Sequence, residues 1–174
     1  MVGRLLARYT TSDTGGDQAR VAGFHINIKA DDSTSLPLGI GLGDTTGVDT
    51  KQQVDFTVSG STEVAMEYEL LVELTHADGT AMESTEWEAI TPKMAPVILG
   101  EVGTKKAAET VTPAADGKSC IYTFQNISDS GTAKEQIAPA VSYTQDYRLT
   151  FDSMGSGNTD GFQVKIYIDG QQID

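Results

Sequence analysis

The chain has 174 residues, enough for one domain with a hydrophobic core, and 39% of its residues are apolar. Twelve Lys and Arg against 25 Asp and Glu give a net charge of −13, which argues against a nucleic-acid partner because phosphates would be repelled. No apolar run approaches the roughly 20 residues that a membrane-spanning helix needs, so no membrane partner is predicted.

The first predicted element is a short strand-like segment at residues 4–10, followed by a Gly/Ser/Thr/Asp tether at residues 12–18. Residues 1–20 carry three arginines and two aspartates, a net charge of +1, which leaves −14 for the rest of the chain. Two interpretations stay open. The segment is either an edge strand of its own domain or a donor strand that pairs with the open sheet edge of the next subunit. Charge favours donation, because a basic arm would approach an acidic body. The donor segment consists of Arg4, Leu5, Leu6, Ala7, Arg8, Tyr9 and Thr10.

The rest of the chain is dominated by a period of two, the pattern of half-buried antiparallel strands. Apolar and polar residues alternate at residues 24–29, 54–58, 147–151 and 162–168. Turn signals separate such runs at residues 44–48, 59–61, 77–79, 116–117 and 154–161. The pattern predicts an all-β, antiparallel, jelly-roll-like β-sandwich over residues 19–174, preceded by the extended amino-terminal strand and tether of residues 1–18. In the clearest run, one face consists of Val64, Met66, Tyr68, Leu70, Val72 and Leu74.

Two stretches fit the strand pattern less well. Residues 81–90, which include Trp87, are either a short helix or an irregular strand. Residues 104–115 are polar and rich in Ala, Lys and Thr, and we predict a loop there.

Residues suited to catalysis are few. The chain has two histidines, His25 and His76, with no His-Glu-x-x-His pair and no Gly-x-Ser-x-Gly elbow. The single cysteine, Cys120, lies in a strand-like run and is interpreted as a small buried hydrophobic residue, so no intrachain disulfide forms. We therefore predict no catalytic residues and no enzymatic activity.

One loop is a calcium candidate. Residues 152–161 combine Asp152, Asn158 and Asp160 with flexible glycines, and such oxygen ligands suit calcium. The spacing does not match an EF-hand, and the same composition is typical of a hairpin loop. The hairpin is the favoured interpretation, so no cofactor is predicted and calcium remains the alternative.

Three parts of the chain resemble one family of surface proteins. They are residues 6–10 with the spacer and residues 19–24, the hairpin of residues 54–59 and 61–68, and the ending at residues 162–174. These parts resemble the TasA/camelysin-like proteins that Gram-positive bacteria and archaeal relatives export with the signal peptidase SipW. The resemblance implies a secreted jelly roll and, in fibre-forming members, polymerisation by strand donation, which maps onto residues 5–9. Camelysin-like members have been described as proteases, but residues that would support this are missing here.

The resulting hypothesis is a structural subunit of an extracellular filament, a biofilm-matrix or pilus-like fibre. Its main partner is itself, in a head-to-tail homopolymer, with cell-surface or matrix components as further candidates. The alternatives are a monomeric cell-surface binding module, with the loops at 36–48 and 152–161 as contact ends, and a phage or virus capsid or tail protein. Because Met1 leads directly into a strand-like segment, the chain is either cytoplasmic or has lost a leader peptide. The filament hypothesis assumes that a leader peptide has been removed.

Overall fold

The computed structural model describes residues 7–9, 19–21, 24–30, 38–40, 52–76, 79–130, 133–154 and 162–173; side chains are described within 55–76, 79–130, 133–151 and 164–173. In chain order the elements are β1 (Ala7–Tyr9), β2 (Ala19–Val21), β3 (Phe24–Ala30), β4 (Leu38–Ile40), β5 (Gln52–Thr62), β6 (Met66–His76), α1 (Ser84–Ala89), β7 (Ile90–Ile98), β8 (Glu101–Val102), β9 (Lys106–Ala107), β10 (Thr110–Pro113), β11 (Ser119–Phe124), β12 (Glu135–Ile137), β13 (Tyr143–Met154) and β14 (Phe162–Gln172).

These strands form two sheets. Sheet A has the order β1–β14–β6–β11–β10, with β4 beside β14 and β12 beside β6. Sheet B has the order β2–β3–β5–β13–β7–β8, with β9 beside β7. All pairings between the described strands are antiparallel. The predicted antiparallel β-sandwich is therefore confirmed.

The core lies between the sheets and follows from the period of two. In β6, alternate residues from Met66 to Leu74 are buried, whereas Glu67, Glu69 and Glu73 stay partly exposed on the other face. Sheet B contributes its own inward-facing residues, and complete burial of a side chain of this size stabilises the fold by about 1.5–3 kcal/mol. From β5 and β13 these are Phe56, Val58, Tyr147, Leu149 and Phe151.

The structure corrects two local predictions and decides a third. Residues 59–61 continue β5, in which Gly60 pairs with both Ile26 and Tyr143, and the turn lies at residues 63–65 instead. Residues 104–115 are not a continuous loop, because β9 pairs with β7 and β10 pairs with β11. Within residues 81–90, the helical alternative is correct for the six residues of α1.

Candidate assembly surface

Part of the predicted donor segment lies on the edge of sheet A in its own chain. Strand β1 pairs with residues 168–170 of β14, with Arg8 opposite Asp169. The remaining members of the segment lie outside the described residues; they are Arg4, Leu5, Leu6 and Thr10. Residues 7–9 of the predicted donor segment thus pair with residues 168–170 of the same chain.

Strand β14 carries two short strands on the same edge. Strand β1 covers residues 168–170 and β4 covers residues 162–164, while β6 pairs with β14 along its whole length on the opposite side. Short edge strands are a common protection against unwanted sheet extension. They also contribute few hydrogen bonds, so a strand from another copy could take this place without disturbing the core.

One end of the sandwich carries most of the exposed apolar side chains. This end, named the Leu99 end below, consists of the β5–β6 turn (residues 63–65), the β7–β8 turn (residues 99–100) and the loop at residues 138–142. Among the described large apolar side chains that are exposed, those at or beside this end are Val64, Ile98, Leu99, Val102 and Val141.

Strand register places these three connections at the same end. Tyr143, the first residue of β13, pairs with Gly60 near the end of β5, and Val97 near the end of β7 pairs three residues further along β13. The loop is tied to β5 by the Ala140 N–H, which donates to the Thr62 carbonyl oxygen at 2.7 Å. The Leu99 end is therefore a structural unit of the described fold.

The first residue of β1 lies toward this same end. Strand β14 runs toward it, since Gln172 pairs with Met66, the first residue of β6, and the Ile173 N–H donates to the Ala65 carbonyl oxygen at 3.0 Å. Because β1 is antiparallel to β14, Ala7 is its residue nearest to the Leu99 end. Strand β1 consequently runs away from the Leu99 end, and the connection of residues 10–18 leads from Tyr9 to Ala19 in the other sheet.

The β7–β8 turn has an unusual residue at its tip. Leu99 is 100% exposed and has φ 51°, and Gly100 follows with φ 83°. Two successive positive φ angles define the type I′ hairpin turn, which prefers Asn, Asp and Gly. For other L-residues this conformation costs roughly 1–2 kcal/mol. This turn was not predicted, and its signal in the sequence is a glycine after the apolar residues 97–99.

The base of this hairpin is firmly held. The Gly103 N–H donates to the Pro96 carbonyl oxygen at 2.8 Å. A Cβ atom at position 103 would lie 3.1 Å from that oxygen and 3.2 Å from the proline Cγ, so only glycine fits without a shift. Gly103 thus packs closely against Pro96 at the base of the hairpin.

Beneath the Leu99 end, three tyrosine hydroxyls connect the two sheets. The hydroxyl oxygen of Tyr68 on β6 lies 2.6 Å from the hydroxyl oxygen of Tyr143 and 2.6 Å from that of Tyr147. Both partners are on β13. Tyr143 also hydrogen-bonds the Glu135 carboxyl. Each hydroxyl has one proton, so all three protons find acceptors if donation runs from Tyr147 through Tyr68 and Tyr143 to Glu135. This chain of bonds links β6 of sheet A to β13 of sheet B through the core.

Burial sets the protonation of this tyrosine network. It raises the pKa of Tyr68, Tyr143 and Tyr147, so all three stay neutral at physiological pH. Burial also raises the pKa of Glu135, opposed by the hydrogen bond from Tyr143 and reinforced by the negative charge of Asp129. The carboxyl group is therefore the member of the network that titrates.

Charge is distributed unevenly over the surface. The outer face of sheet A carries Glu67 and Glu69, with Lys134 Nζ 3.4 Å from Glu69 Oε2 and 3.9 Å from Glu67 Oε1. The β8–β9 edge of sheet B, beside the Leu99 hairpin, carries Lys105 and Lys106. The molecule thus has an acidic face and a basic edge on different sheets.

The opposite end of the sandwich contains a histidine–glutamate pair. His76, 7% exposed at the end of β6, has Nε2 3.1 Å from Glu86 Oε2 of α1, and the Glu83 N–H donates to the same oxygen at 2.7 Å. Partial burial opposes ionisation of Glu86, but these two contacts outweigh it and lower its pKa. The pair attaches the helix to the sheet, and such a carboxylate fixes the tautomer of an imidazole.

Cys120 is inert in this fold. It is fully buried, which confirms its interpretation as a small hydrophobic residue, and burial raises the pKa of its thiol to about 11. A thiol in this state is a poor nucleophile at neutral pH.

The calcium candidate lies mostly outside the described residues. This applies to Asn158 and Asp160, and only the backbone of Asp152 is described. Among the described side chains, no group of three or more His, Cys, Asp or Glu residues could hold a metal ion. Nor does any described helix have the length and hydrophobicity required to cross a membrane.

No family model and no curated protein matches the chain. Among solved structures, the chain is similar to one described as "AvmM Catalyzes Macrocyclization in Alchivemycin A Biosynthesis", with 11% sequence identity and a TM-score of 0.49 over 92% of this chain and 82% of that chain. This match to a protein described as a catalyst contradicts the prediction that the chain is not an enzyme, and we withdraw that prediction. At such an identity and TM-score, the likeness says nothing about a reaction or substrate of this chain.

Proposed function

We propose that the chain is a structural subunit of an extracellular protein filament, in which the amino-terminal segment of one subunit pairs with β14 of the next. The placement of β1 carries this proposal. It is a three-residue edge strand that covers only residues 168–170 of β14. Copies of a protein can exchange such a strand without rearranging their cores.

The pairing of β1 within its own chain limits what strand exchange can contribute. Exchange replaces three pairings inside one chain by the same three pairings between two chains, so these pairings alone favour neither state. The intrachain state has the advantage of an effective concentration on the order of millimolar. Assembly at lower concentration therefore needs further contacts between the bodies, and the Leu99 end offers apolar surface for them.

The geometry of exchange favours a filament over a closed dimer. The donated segment is joined to its own body through residues 10–18, which lead to β2 in sheet B, and it meets the next subunit along the edge of sheet A, so the two contacting surfaces differ. Such a heterologous contact repeats without closing unless a rotation happens to bring the ends together. The extracellular location in the proposal rests on the resemblance of residues 6–10 and 19–24 to SipW-exported proteins.

Cross-linking tests the proposal directly. Arg8 and Asp169 are opposite in the β1–β14 register, and opposite residues of antiparallel strands lie about 4.5–5.5 Å apart at Cα, within the range of a disulfide. In an Arg8→Cys/Asp169→Cys variant, oxidation of assembled protein should give a ladder of covalent multimers on a denaturing gel. The buried Cys120 should not take part.

A matched control uses two positions within the body. Glu67 and Gln171 are opposite in the β6–β14 register, so the corresponding cysteine pair should cross-link within each chain only. The filament proposal is refuted if the Arg8–Asp169 pair also yields only internally cross-linked monomers at concentrations up to the millimolar range. That result would favour the monomeric surface-binding alternative.

A further inference from the structure

Two short strands share the outer edge of β14, and one backbone position lies between them. The Ile173 N–H donates to the Ala65 carbonyl oxygen, so alternate residues of β14, counted back from position 173, bond to β6. The residues in between direct their backbone N–H and C=O groups toward the outer edge. Strand β1 pairs with positions 168 and 170 of this set, and β4 pairs with positions 162 and 164. Ile166 lies between them, and none of the described strands pairs with it on this edge.

Burial makes pairing at Ile166 energetically important. The residue is 0% exposed, so water is poorly placed to bond its backbone groups. An unpaired backbone N–H or C=O group in a buried position costs about as much as a lost hydrogen bond. Strands β1 and β4 are both antiparallel to β14 and therefore run in the same direction, so one strand can follow the edge from β1 to Ile166 without reversing.

We infer that the strand donated between subunits is longer than β1 and continues to Thr11, whose backbone N–H and C=O groups pair with those of Ile166 on the acceptor. The inference rests on the proposed function and names the acceptor position that favours exchange. Thr11 follows two residues after Tyr9, which pairs with Ile168, so the register of β1 places it opposite Ile166. The occupant is a second copy of this chain, because the strand is a continuation of β1 itself.

The connection to β2 explains why the longer strand belongs to the exchanged state. Ala19 pairs with Ile26, which in turn pairs with Gly60 near the Leu99 end of β5. Since β1 runs away from the Leu99 end, each further pairing with β14 takes the chain away from the level of Ala19. Pairing as far as Thr11 also shortens the connection from residues 10–18 to residues 12–18. Between two subunits, the connection leads to the donor's body and not back to the acceptor's own β2, so this conflict is absent.

The added pairing gives exchange an advantage that β1 alone does not provide. Exchange of residues 7–9 replaces pairings within one chain by the same pairings between chains. The pairing of Thr11 with Ile166 adds two hydrogen bonds that form only between subunits. The longer strand therefore favours the assembled state over the intrachain state.

Proline substitutions test the inference, because proline removes one backbone N–H at a chosen position. In the donated strand, the Thr11 N–H points to Ile166, whereas the Thr10 N–H points away from β14. Thr11→Pro leaves the Ile166 carbonyl oxygen without its donor and should raise the critical concentration for assembly, followed by light scattering, about fivefold to a hundredfold. Thr10→Pro is the matched control and should leave assembly unchanged, since an edge strand tolerates proline where the N–H would face outward.

The melting temperature of the unassembled chain gives a second measurement. Because the pairing at Thr11 belongs to the exchanged state, both proline variants should melt like wild type below the critical concentration. A lower melting temperature for Thr11→Pro, with Thr10→Pro unchanged, would show that the pairing already exists within one chain, and the inference would be overturned.

The outcomes separate the inference from the proposed function. If Thr11→Pro assembles like wild type while the Arg8→Cys/Asp169→Cys variant still cross-links between subunits, the longer strand is refuted and the filament stands. If both proline variants weaken assembly equally, the effect does not come from Ile166 and the inference is overturned as well. If the Arg8→Cys/Asp169→Cys variant never cross-links between subunits, the inference and the proposed function both fail.

Discussion

Replacing Tyr68 with phenylalanine tests whether the buried hydroxyl network holds the two sheets together. The change removes one oxygen atom and, with it, both 2.6 Å hydrogen bonds to Tyr143 and Tyr147. The ring and its packing are retained. The stability difference therefore reports on the hydrogen bonds across the core.

The stability lost in Tyr68→Phe can be divided between its two hydrogen-bond partners, Tyr147 and Tyr143. Tyr147 is fully buried, so its hydroxyl loses its bond to Tyr68 where water cannot replace it, a penalty of about 1–3 kcal/mol. Tyr143 is partly exposed and keeps Glu135 as an acceptor, so its share is small. We expect Tyr68→Phe to lower the free energy of unfolding by about 1–3 kcal/mol, which corresponds to roughly 2–12 °C in melting temperature at this chain length.

Urea unfolding at pH 7 measures this loss, with the fluorescence of Trp87, the only tryptophan, as the probe. Adding Tyr147→Phe to Tyr68→Phe removes the stranded hydroxyl as well. The double variant should consequently be more stable than Tyr68→Phe alone, because the penalty of the unsatisfied hydroxyl is recovered. Two results would refute the reasoning: a Tyr68→Phe loss below about 0.5 kcal/mol, or losses for the two substitutions that simply add.

Three further expectations follow from single side chains. Burial raises the pKa of Glu135 above its ordinary value of 4.5, so the folded state binds the carboxyl proton more tightly than the unfolded state does. The contribution of the protonated Glu135 to stability is therefore complete below pH 4.5 and is lost as the pH rises through the pKa of the folded state. Glu135→Gln should thus flatten the fall in melting temperature measured from pH 4 to pH 8, and an unchanged slope would contradict this. Cys120 should react with a thiol reagent at neutral pH only as fast as the chain unfolds, and labelling faster than unfolding would show that the thiol is accessible. Gly103→Ala should reduce the free energy of unfolding by about 1–2 kcal/mol, because its Cβ would meet the Pro96 carbonyl oxygen at 3.1 Å; an unchanged urea midpoint would mean that the hairpin base can shift.

The fold was predictable where one face of a strand is buried. The alternation from Met66 to Leu74 appears in the sequence because those side chains enter the core, and the same holds for Tyr147 to Phe151. Prediction was wrong where local composition and tertiary pairing disagree. Ser-Gly-Ser at residues 59–61 has turn composition, but Gly60 lies between β3 and β13, and pairing on both sides keeps it extended.

The features of the assembly surface were less predictable. All four residues of β10 are exposed, so this strand has no buried face to create an alternating pattern. The tyrosine network depends on how sheet A stacks on sheet B, which no single strand pattern encodes. Leu99 ends an apolar run that resembles a buried strand, and its exposure follows only from the position of the turn.

The tether between β1 and β2 provides a last test, because these strands belong to different sheets. Residues 10–18 connect Tyr9 to Ala19, and the length of this connection determines whether β1 can reach β14 of its own chain. Removing Thr14, Gly15 and Gly16 shortens the reach of the connection by about 10 Å. This change should disfavour the intrachain pairing and leave the pairing with a neighbour available, as shortened hinge loops do in domain swapping. Light scattering coupled to size-exclusion chromatography should then show more multimers at a given concentration, with strand content by circular dichroism unchanged. A folded variant that stays monomeric, with β1 detached, would mean that β14 does not accept this strand from another chain.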